Sequence, residues 1–306
     1  MRHLTAILCL AALATSPLAD ANSQHCGDSG AWIEILGAGG GELDDAEAAP
    51  GYVLWIDNQA RLLVNAGPGT ALRFEESGAK LADLDLVLFN QLGASHSLDM
   101  ISLIAGARGS DRREDLLVLG PEGRGDLPSI EAWFDRLIGP QGAYPALAPA
   151  LDPNTNASFT VRPRTVSLIG AQRWAEFGND DLDVSAIAVN HGDVPSIAWR
   201  VDTQAGSVVF AGSFNNLSNR LAAFAENADT IVFHHGIPQS ARGADRDFHV
   251  VPSQIGRIAE TAELRFVILG HRSARTRGVE SLTRQAIEEN FKGDLIFAND
   301  GECWGL

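Results

Sequence analysis

The sequence predicts an α/β fold in one large domain, and three observations predict it. Short apolar runs with period-two alternation recur along the chain, helix-period stripes separate them, and apolar residues make up 45% of the sequence, enough for a substantial core. Leu84, Leu86 and Leu88 alternate with Asp85 and Val87 and lead into Phe89, which reads as a buried strand running into a loop. Such loops, at the C-terminal ends of buried strands, are where α/β proteins usually hold ligands and metals.

Taken in order, the first strands fall at Trp32 to Leu36, Tyr52 to Ile56 and Leu62 to Val64. Asn65-Ala66-Gly67-Pro68-Gly69 is a tight turn that opens a helix around Thr70 to Ser77. A strand at Leu116 to Leu119 follows the one ending at Phe89. Between the Gly120-Pro121 turn and Pro163 lies a Pro- and Gly-rich stretch with Trp133, Phe134, Leu137, Ile138 and Tyr144. It reads either as a lid or dimer-forming arm or, slightly favoured, as an ordinary helix over Ser129 to Ile138. Strands at Ser185 to Val189 and Ile197 to Val201 come next. Leu217, Leu221, Phe224 and Ala225 share one helical face, as do Ile255, Ile258, Ala259 and Ala262, and Pro252 suits a helix's first turn.

Residues 1–21 have the build of a secretory signal: a basic start (Arg2, His3), an apolar core from Leu4 to Ala14, and a small-x-small end at Ala19-Asp20-Ala21. That core is too short to remain in a membrane, and no later run is long enough to span one. The expected product is residues 22–306, a single domain exported to the periplasm or secreted. Cys9 leaves with the signal, and Cys26 and Cys303 remain. An oxidising compartment would join them, closing a loop that the chain-entropy model values on the order of 4 to 5 kcal/mol; two free thiols are the alternative.

The formal net charge of −16, from 39 acidic and 23 basic residues, disfavours a nucleic-acid partner, because a phosphate backbone needs a basic face. Local Arg runs (Arg108, Arg112 and Arg113; Arg272, Arg275 and Arg277) read as solvated surface.

The chemistry-bearing stretch is Leu86-Val87-Leu88-Phe89-Asn90-Gln91-Leu92-Gly93-Ala94-Ser95-His96. With Leu36 to Gly41, Leu119 to Gly123, Val189 to Pro195, Val208 to Ser213, Ile231 to His235, His249 to Pro252 and Val267 to His271 following one another in order, the chain resembles a metallo-β-lactamase-fold protein of the ribonuclease Z and arylsulfatase-like branch. The resemblance implies a four-layer αββα sandwich and, in its hydrolases, two zinc ions held by a Thr-His-x-His-x-Asp-His box and three later ligands. Here the first two box histidines fall on Gln91 and Gly93, its aspartate on Ser95, and its last histidine on His96. The later positions fall on His191, Ser213 in place of the bridging aspartate, and His271, while Asn65 stands where an Asp is usual.

Zinc takes about four N, O or S donors, and a bridging carboxylate holds two cations against their repulsion, so this ligand count disfavours a dizinc centre. The resemblance leaves either no metal or one zinc on His96, His191 and His271, with His249, and His234 or His235, able to add a fourth nitrogen or a catalytic proton donor. Two functions remain open. One is a non-catalytic homologue that binds a small molecule or a partner in a pocket lined by Asn65, Asn90, Gln91, Gly93, Ser95 and Ser213; the other is a mononuclear metal-dependent hydrolase of phosphate, sulfate or carboxylic esters. The acid and hydroxyl expected in ribonuclease Z after His234 and His249 are absent. A homodimer is compatible with the sequence, which does not name the ligand.

Overall fold

Two seven-stranded sheets carry the molecule, as described by a computed structural model for residues 26–43, 45–155, 157–170 and 174–306. The signal-like segment 1–21, with Cys9, lies outside the described residues. The first sheet contains β1 (Ala31–Gly37), β2 (Gly51–Ile56), β3 (Gln59–Val64), β4 (Leu86–Leu88), β5 (Leu116–Pro121) and β6 (Val161–Val166). The second contains β7 (Trp174–Gly178), β8 (Leu182–His191), β9 (Val194–Thr203), β10 (Ser207–Gly212), β11 (Thr230–His234), β12 (Phe266–Gly270) and β13 (Asp294–Phe297). A final strand, β14 (Cys303–Gly305), returns to the first sheet and pairs antiparallel with β1.

The sheets mirror one another in pattern. β1, β2 and β3 are antiparallel and β3 to β6 parallel, while β7 to β10 are antiparallel and β10 to β13 parallel. Parallel strands buried on both faces read as near-continuous apolar runs, which is how Leu86-Val87-Leu88 and Phe266-Val267-Ile268-Leu269 read.

Three apolar cores separate four layers. Ile33, Ile35, Leu54 and Leu62 of the first sheet meet Trp199, Phe210 and Ile268 of the second. On the outer face of the first sheet, Val53, Leu63 and Val87 pack with helices α1 (Thr70–Glu76), α3 (Asp99–Ala107) and α4 (Ile130–Ile138); the short α2 (Ala94–Ser97) precedes α3. On the outer face of the second, Val209, Ile231 and Val267 pack with α5 (Leu221–Phe224), α7 (Pro252–Thr261) and α8 (Glu280–Glu288), and α6 (Asp245–Phe248) sits just before α7. This is the αββα sandwich. Each fully buried aliphatic or aromatic side chain contributes about 1.5–3 kcal/mol of transfer free energy, so the cores outweigh any single polar contact.

Some expectations need correction. The strand expected from Leu84 is shorter, because residues 81–83 form a 3₁₀ turn and regular pairing begins at Leu86. Leu217 is 78% exposed and lies outside α5, so it is not part of that helix's core stripe. The aromatic stretch after β5 is not a lid: α4 starts from Ser129, whose Oγ accepts from the Ala132 amide, and buries Ile130, Phe134 and Ile138 against the first sheet. Cys26 and Cys303 are joined in a disulfide that ties the start of the described chain to β14. Among the described residues, no helix is long and apolar enough to cross a membrane.

Candidate functional site

The C-terminal ends of β4, β8, β10, β11 and β12 reach one edge of the sandwich, and the polar side chains gather there. Five of the six described histidines are among them: His96, His191, His234, His249 and His271.

They form a trio and a pair. One ring nitrogen from each of His96, His234 and His271 lies within 4.8 Å of the other two, and the ring centroids are 5.4, 4.9 and 4.6 Å apart. His191 stands beside this trio, its ring 5.3 Å from that of His249 and edge-on to Phe248. The sequence-based set of His96, His191 and His271 is therefore not the group that converges; His234 takes the third place.

Strand parity explains the difference. Along β11, Val232 faces the core between the sheets, whereas Ile231 and Phe233 face the helices. Period-two alternation then sends His234 to the inter-sheet side and His235 to the helix side. His235 is accordingly not a catalytic candidate. It is fully buried beneath α8, its Nε2 3.3 Å from Thr283 Oγ1 and its ring against Phe297. Ile231-Val232-Phe233 is apolar on both faces, so this parity comes from the packing and not from the sequence alone.

Each trio imidazole has its Nδ1 engaged. Ser95 Oγ lies 2.9 Å from His96 Nδ1, Ser213 Oγ 3.1 Å from His234 Nδ1, and His271 Nδ1 donates to the Gly39 carbonyl at 3.3 Å. A carbonyl only accepts, so His271 carries its proton on Nδ1 and keeps the Nε2 lone pair. The Gln91 amide nitrogen packs against the His96 ring, 3.0 Å from Nε2 and 3.2 Å from Nδ1. His191 Nδ1 donates to the Phe248 carbonyl at 2.7 Å. Gly236 leaves the space that the His249 ring fills, since a Cβ there would meet His249 Nδ1 at 2.5 Å, and that Nδ1 has no partner.

His271 sits at φ 46°, in the left-handed region that costs a non-glycine residue about 1–2 kcal/mol. Its neighbours hold it there. Arg272 N donates to the Ala38 carbonyl, and Arg277 bonds both Asp45 and Glu47 at 2.7 Å, so the loop carrying Gly39 is clasped to the turn carrying His271.

Electrostatically the trio contains no carboxylate among the described residues, and Asp245 is an acid that acts on His249, against its burial. Burial pushes His271 and His249 down to about 4, and burial together with neighbouring imidazoles holds His96 and His234 well below the ordinary histidine value. Burial also lowers His191, against its bond to Phe248. At neutral pH these rings are uncharged, each with one N–H and one lone pair, so His249, which sequence offers as a proton donor, stands here as a neutral imidazole.

The remaining expected residues divide. Gln91, Ser95 and Ser213 touch the trio; Gly93 borders it, and a Cβ built there would meet only His96 Nδ1, at 4.0 Å. Asn65 and Asn90 do not line the pocket. They are fully buried and bond each other, Asn65 Nδ2 to Asn90 Oδ1 at 2.9 Å and Asn90 N to Asn65 Oδ1 at 3.1 Å. Asn90 Nδ2 then donates to the carbonyls of Ile197 and Phe210 in the second sheet.

An αββα sandwich with histidine-bearing loops along one shared edge defines the class of metallo-β-lactamase-fold proteins. The chain belongs to the β-lactamase superfamily: the profile of its "Beta-lactamase superfamily domain" matches residues 60–272, more than half of the chain. Within it the chain is ribonuclease Z-like. It is 23% identical over 286 residues to a ribonuclease Z of Metallosphaera sedula, covering 83% of this chain and 92% of that one, and 25% identical over 282 residues to a ribonuclease Z of Mycobacterium avium, covering 88% and 95%. Among solved structures, the metallo-β-lactamase-fold protein YhfI of Bacillus subtilis superposes with TM-score 0.67 at 18% identity over 90% of this chain and 99% of that one. The short form of human tRNase Z gives 0.66 at 15% identity over 89% and 98%.

The family implies a metal. The donor set fits one ion of borderline softness, which neutral imidazole nitrogens suit, and does not fit two ions, because no carboxylate belongs to the one convergent group found among the described residues.

Proposed function

We propose that this chain is an exported binding protein on a metallo-hydrolase scaffold, whose histidine-lined pocket holds a small molecule or a partner's polar group and does not perform two-ion hydrolysis. The observation that carries this reading is the donor set. Ser213, Ser95, Gly93 and Gln91 stand at four positions where the hydrolases carry ligands, and the histidine trio comes without an acid among the described residues. Neutral imidazoles, two hydroxyls and an amide make a recognition surface of donors and acceptors with little fixed charge.

Export is supported by the signal-like residues 1–21 and by the Cys26–Cys303 disulfide, which belongs in an oxidising compartment. A tRNA substrate is not carried over from the relatives. Arg112 is buried, donating to the carbonyls of Leu81, Leu84 and Asp115, while Arg272, Arg275 and Arg277 are paired with Glu280, Asp245 and Asp45. These cations are neutralised within the chain, and the net charge of −16 repels a phosphate backbone.

The convergence of the trio favours a second reading, hydrolysis of a phosphate, sulfate or carboxylic ester with one ion. An ion held by the trio would supply Lewis acidity. His249 would accept a proton at its unpartnered Nδ1, and Ser95 and Ser213 would keep the rings oriented. The two readings separate in one assay. The protein, dialysed against zinc or manganese, is offered phosphate, sulfate and carboxylic esters; turnover no greater than that of His96→Ala is expected, and turnover abolished by His96→Ala would replace the first reading with the second.

A further inference from the structure

We infer that His96, His234 and His271 form a single-ion site for a divalent transition metal, zinc foremost, with His234 as the third ligand in place of His191. The inference goes beyond the binding reading above, which places no ion among these histidines, and stands or falls separately from it.

Convergence is the first observation: three ring nitrogens, one per residue, within 4.8 Å of one another, on rings that are buried or half-buried. Modest side-chain rotations bring such a group to Zn–N bonds of ~2.0–2.1 Å.

Orientation is the second and independent observation. Metal-bound histidines almost always give their other ring nitrogen to a carbonyl, a carboxylate or water, which fixes the tautomer. Here the Gly39 carbonyl fixes the His271 tautomer, and the Ser95 and Ser213 hydroxyls, able to accept as a water does, contact Nδ1 of His96 and His234, which leaves Nε2 of each ring for an ion. The Gln91 amide nitrogen lies against the face of the His96 ring, 3.0 Å from Nε2 and 3.2 Å from Nδ1, rather than in the ring plane where an ion would bind. His191 is oriented otherwise, with Nδ1 on the Phe248 carbonyl and its ring packed on Phe248 and His249.

The substitution at position 213 then has a positive sense. A serine cannot bridge two cations, but its hydroxyl can hold one imidazole in place. Loss of the bridge and gain of His234 as ligand are two sides of one change, from a two-ion centre shared by both halves to a one-ion centre drawn mainly from the second sheet.

The test uses the disulfide-bonded protein stripped of metal and titrated with zinc and, separately, with cobalt(II), whose visible spectrum reports tetrahedral nitrogen coordination. The expected result is one ion per chain, an affinity loss of roughly 100-fold or more in His234→Gln, and roughly 10-fold in Ser213→Ala, which keeps all ligands and removes only the orienting hydroxyl. His191→Gln should stay within about threefold, as expected for a residue outside the first coordination sphere. Circular dichroism of each metal-free variant establishes that it folds. If His234→Gln does not fold, Ser213→Ala decides, because its hydroxyl touches His234. An ion that survives His234→Gln and is lost in His191→Gln overturns the inference, as does unchanged affinity in Ser213→Ala. No bound ion overturns it too but leaves the pocket-binding reading standing, whereas two ions per chain with ester turnover overturns both.

Discussion

The two halves of the site treat their polar side chains in opposite ways. On the first sheet, the loops after β3 and β4 carry amides and hydroxyls, and Asn65 and Asn90 turn theirs inward, on one another and on the second sheet. On the second sheet, the loops after β8, β11 and β12 carry imidazoles, and the Nδ1 of His249 is left without a partner. Apart from His96, which joins the trio, the first half is a structural joint, while the second keeps unsatisfied chemistry. Low-dielectric surroundings explain why both outcomes are stable, since a fully paired buried network is worth keeping and a neutral imidazole is the least costly titratable group to bury.

That contrast can be broken most severely at Asn90. Asn90→Ala should destabilise the protein by about 3–5 kcal/mol in denaturant titration, because it strands Asn65 and two carbonyls of the second sheet at once. A loss below about 1 kcal/mol would mean that the amides are not a joint.

Next in size is acid titration of the metal-free protein. His271 has a folded value of about 4 against an ordinary 6.5, so the unfolded chain binds the proton first. Stability should therefore be flat above pH 6.5 and fall by roughly 3 kcal/mol for this residue as the pH drops toward 4, with His96 and His234 acting in the same direction. The Asn65–Asn90 pair adds nothing to this slope. Denaturation midpoints that do not move between pH 7 and pH 5 would show that the imidazoles are open to water.

Gly93→His sharpens the comparison by returning an imidazole to the first half, into space bounded only by His96 Nδ1. Zinc affinity should rise at least ~10-fold, with stability of the metal-free protein unchanged within about 0.5 kcal/mol. Competition titration against a chelator of known affinity measures it, and equal affinities would mean that the added ring does not reach the trio.

The smallest effect comes from Glu34 on β1, well away from the histidines. Burial raises its carboxyl to about 7, against the hydrogen bond that Trp55 Nε1 donates to it. Its sign is opposite to that of the histidines: the folded state keeps the proton longer, so its contribution is present below about pH 4.5 and lost as the pH rises through 7. Glu34→Gln should raise stability at pH 8 by about 1 kcal/mol, discounted for its partial exposure, and leave it unchanged at pH 4.

The scaffold was legible in the sequence because alternation is a backbone property that any apolar residue can report. Trp32 to Leu36, Ile197 to Val201 and Ile255 to Ala262 fall inside β1, β9 and the α7 segment. Leu217 misled because a helical stripe extrapolates back past the helix start, whereas the left-handed residue Asn219, with φ 47°, separates it from α5. The site was less legible. Family correspondence assigns a ligand by position, and it pointed to His191, whereas the ring that converges is set by strand parity at His234. Asn65 and Asn90 looked like pocket residues for the same reason: their loops are right, but the direction of an amide is decided by which carbonyls lie within reach.

The orienting partners of the trio differ in how they can be lost. Ser95 and Ser213 can each be removed by a single substitution, but the oxygen that holds His271 belongs to the main chain of Gly39. No change of side chain deletes a carbonyl. Across diverging descendants of this chain, the pose of His271 should persist for as long as the loop between β1 and β2 keeps its path, even where both serines have been replaced.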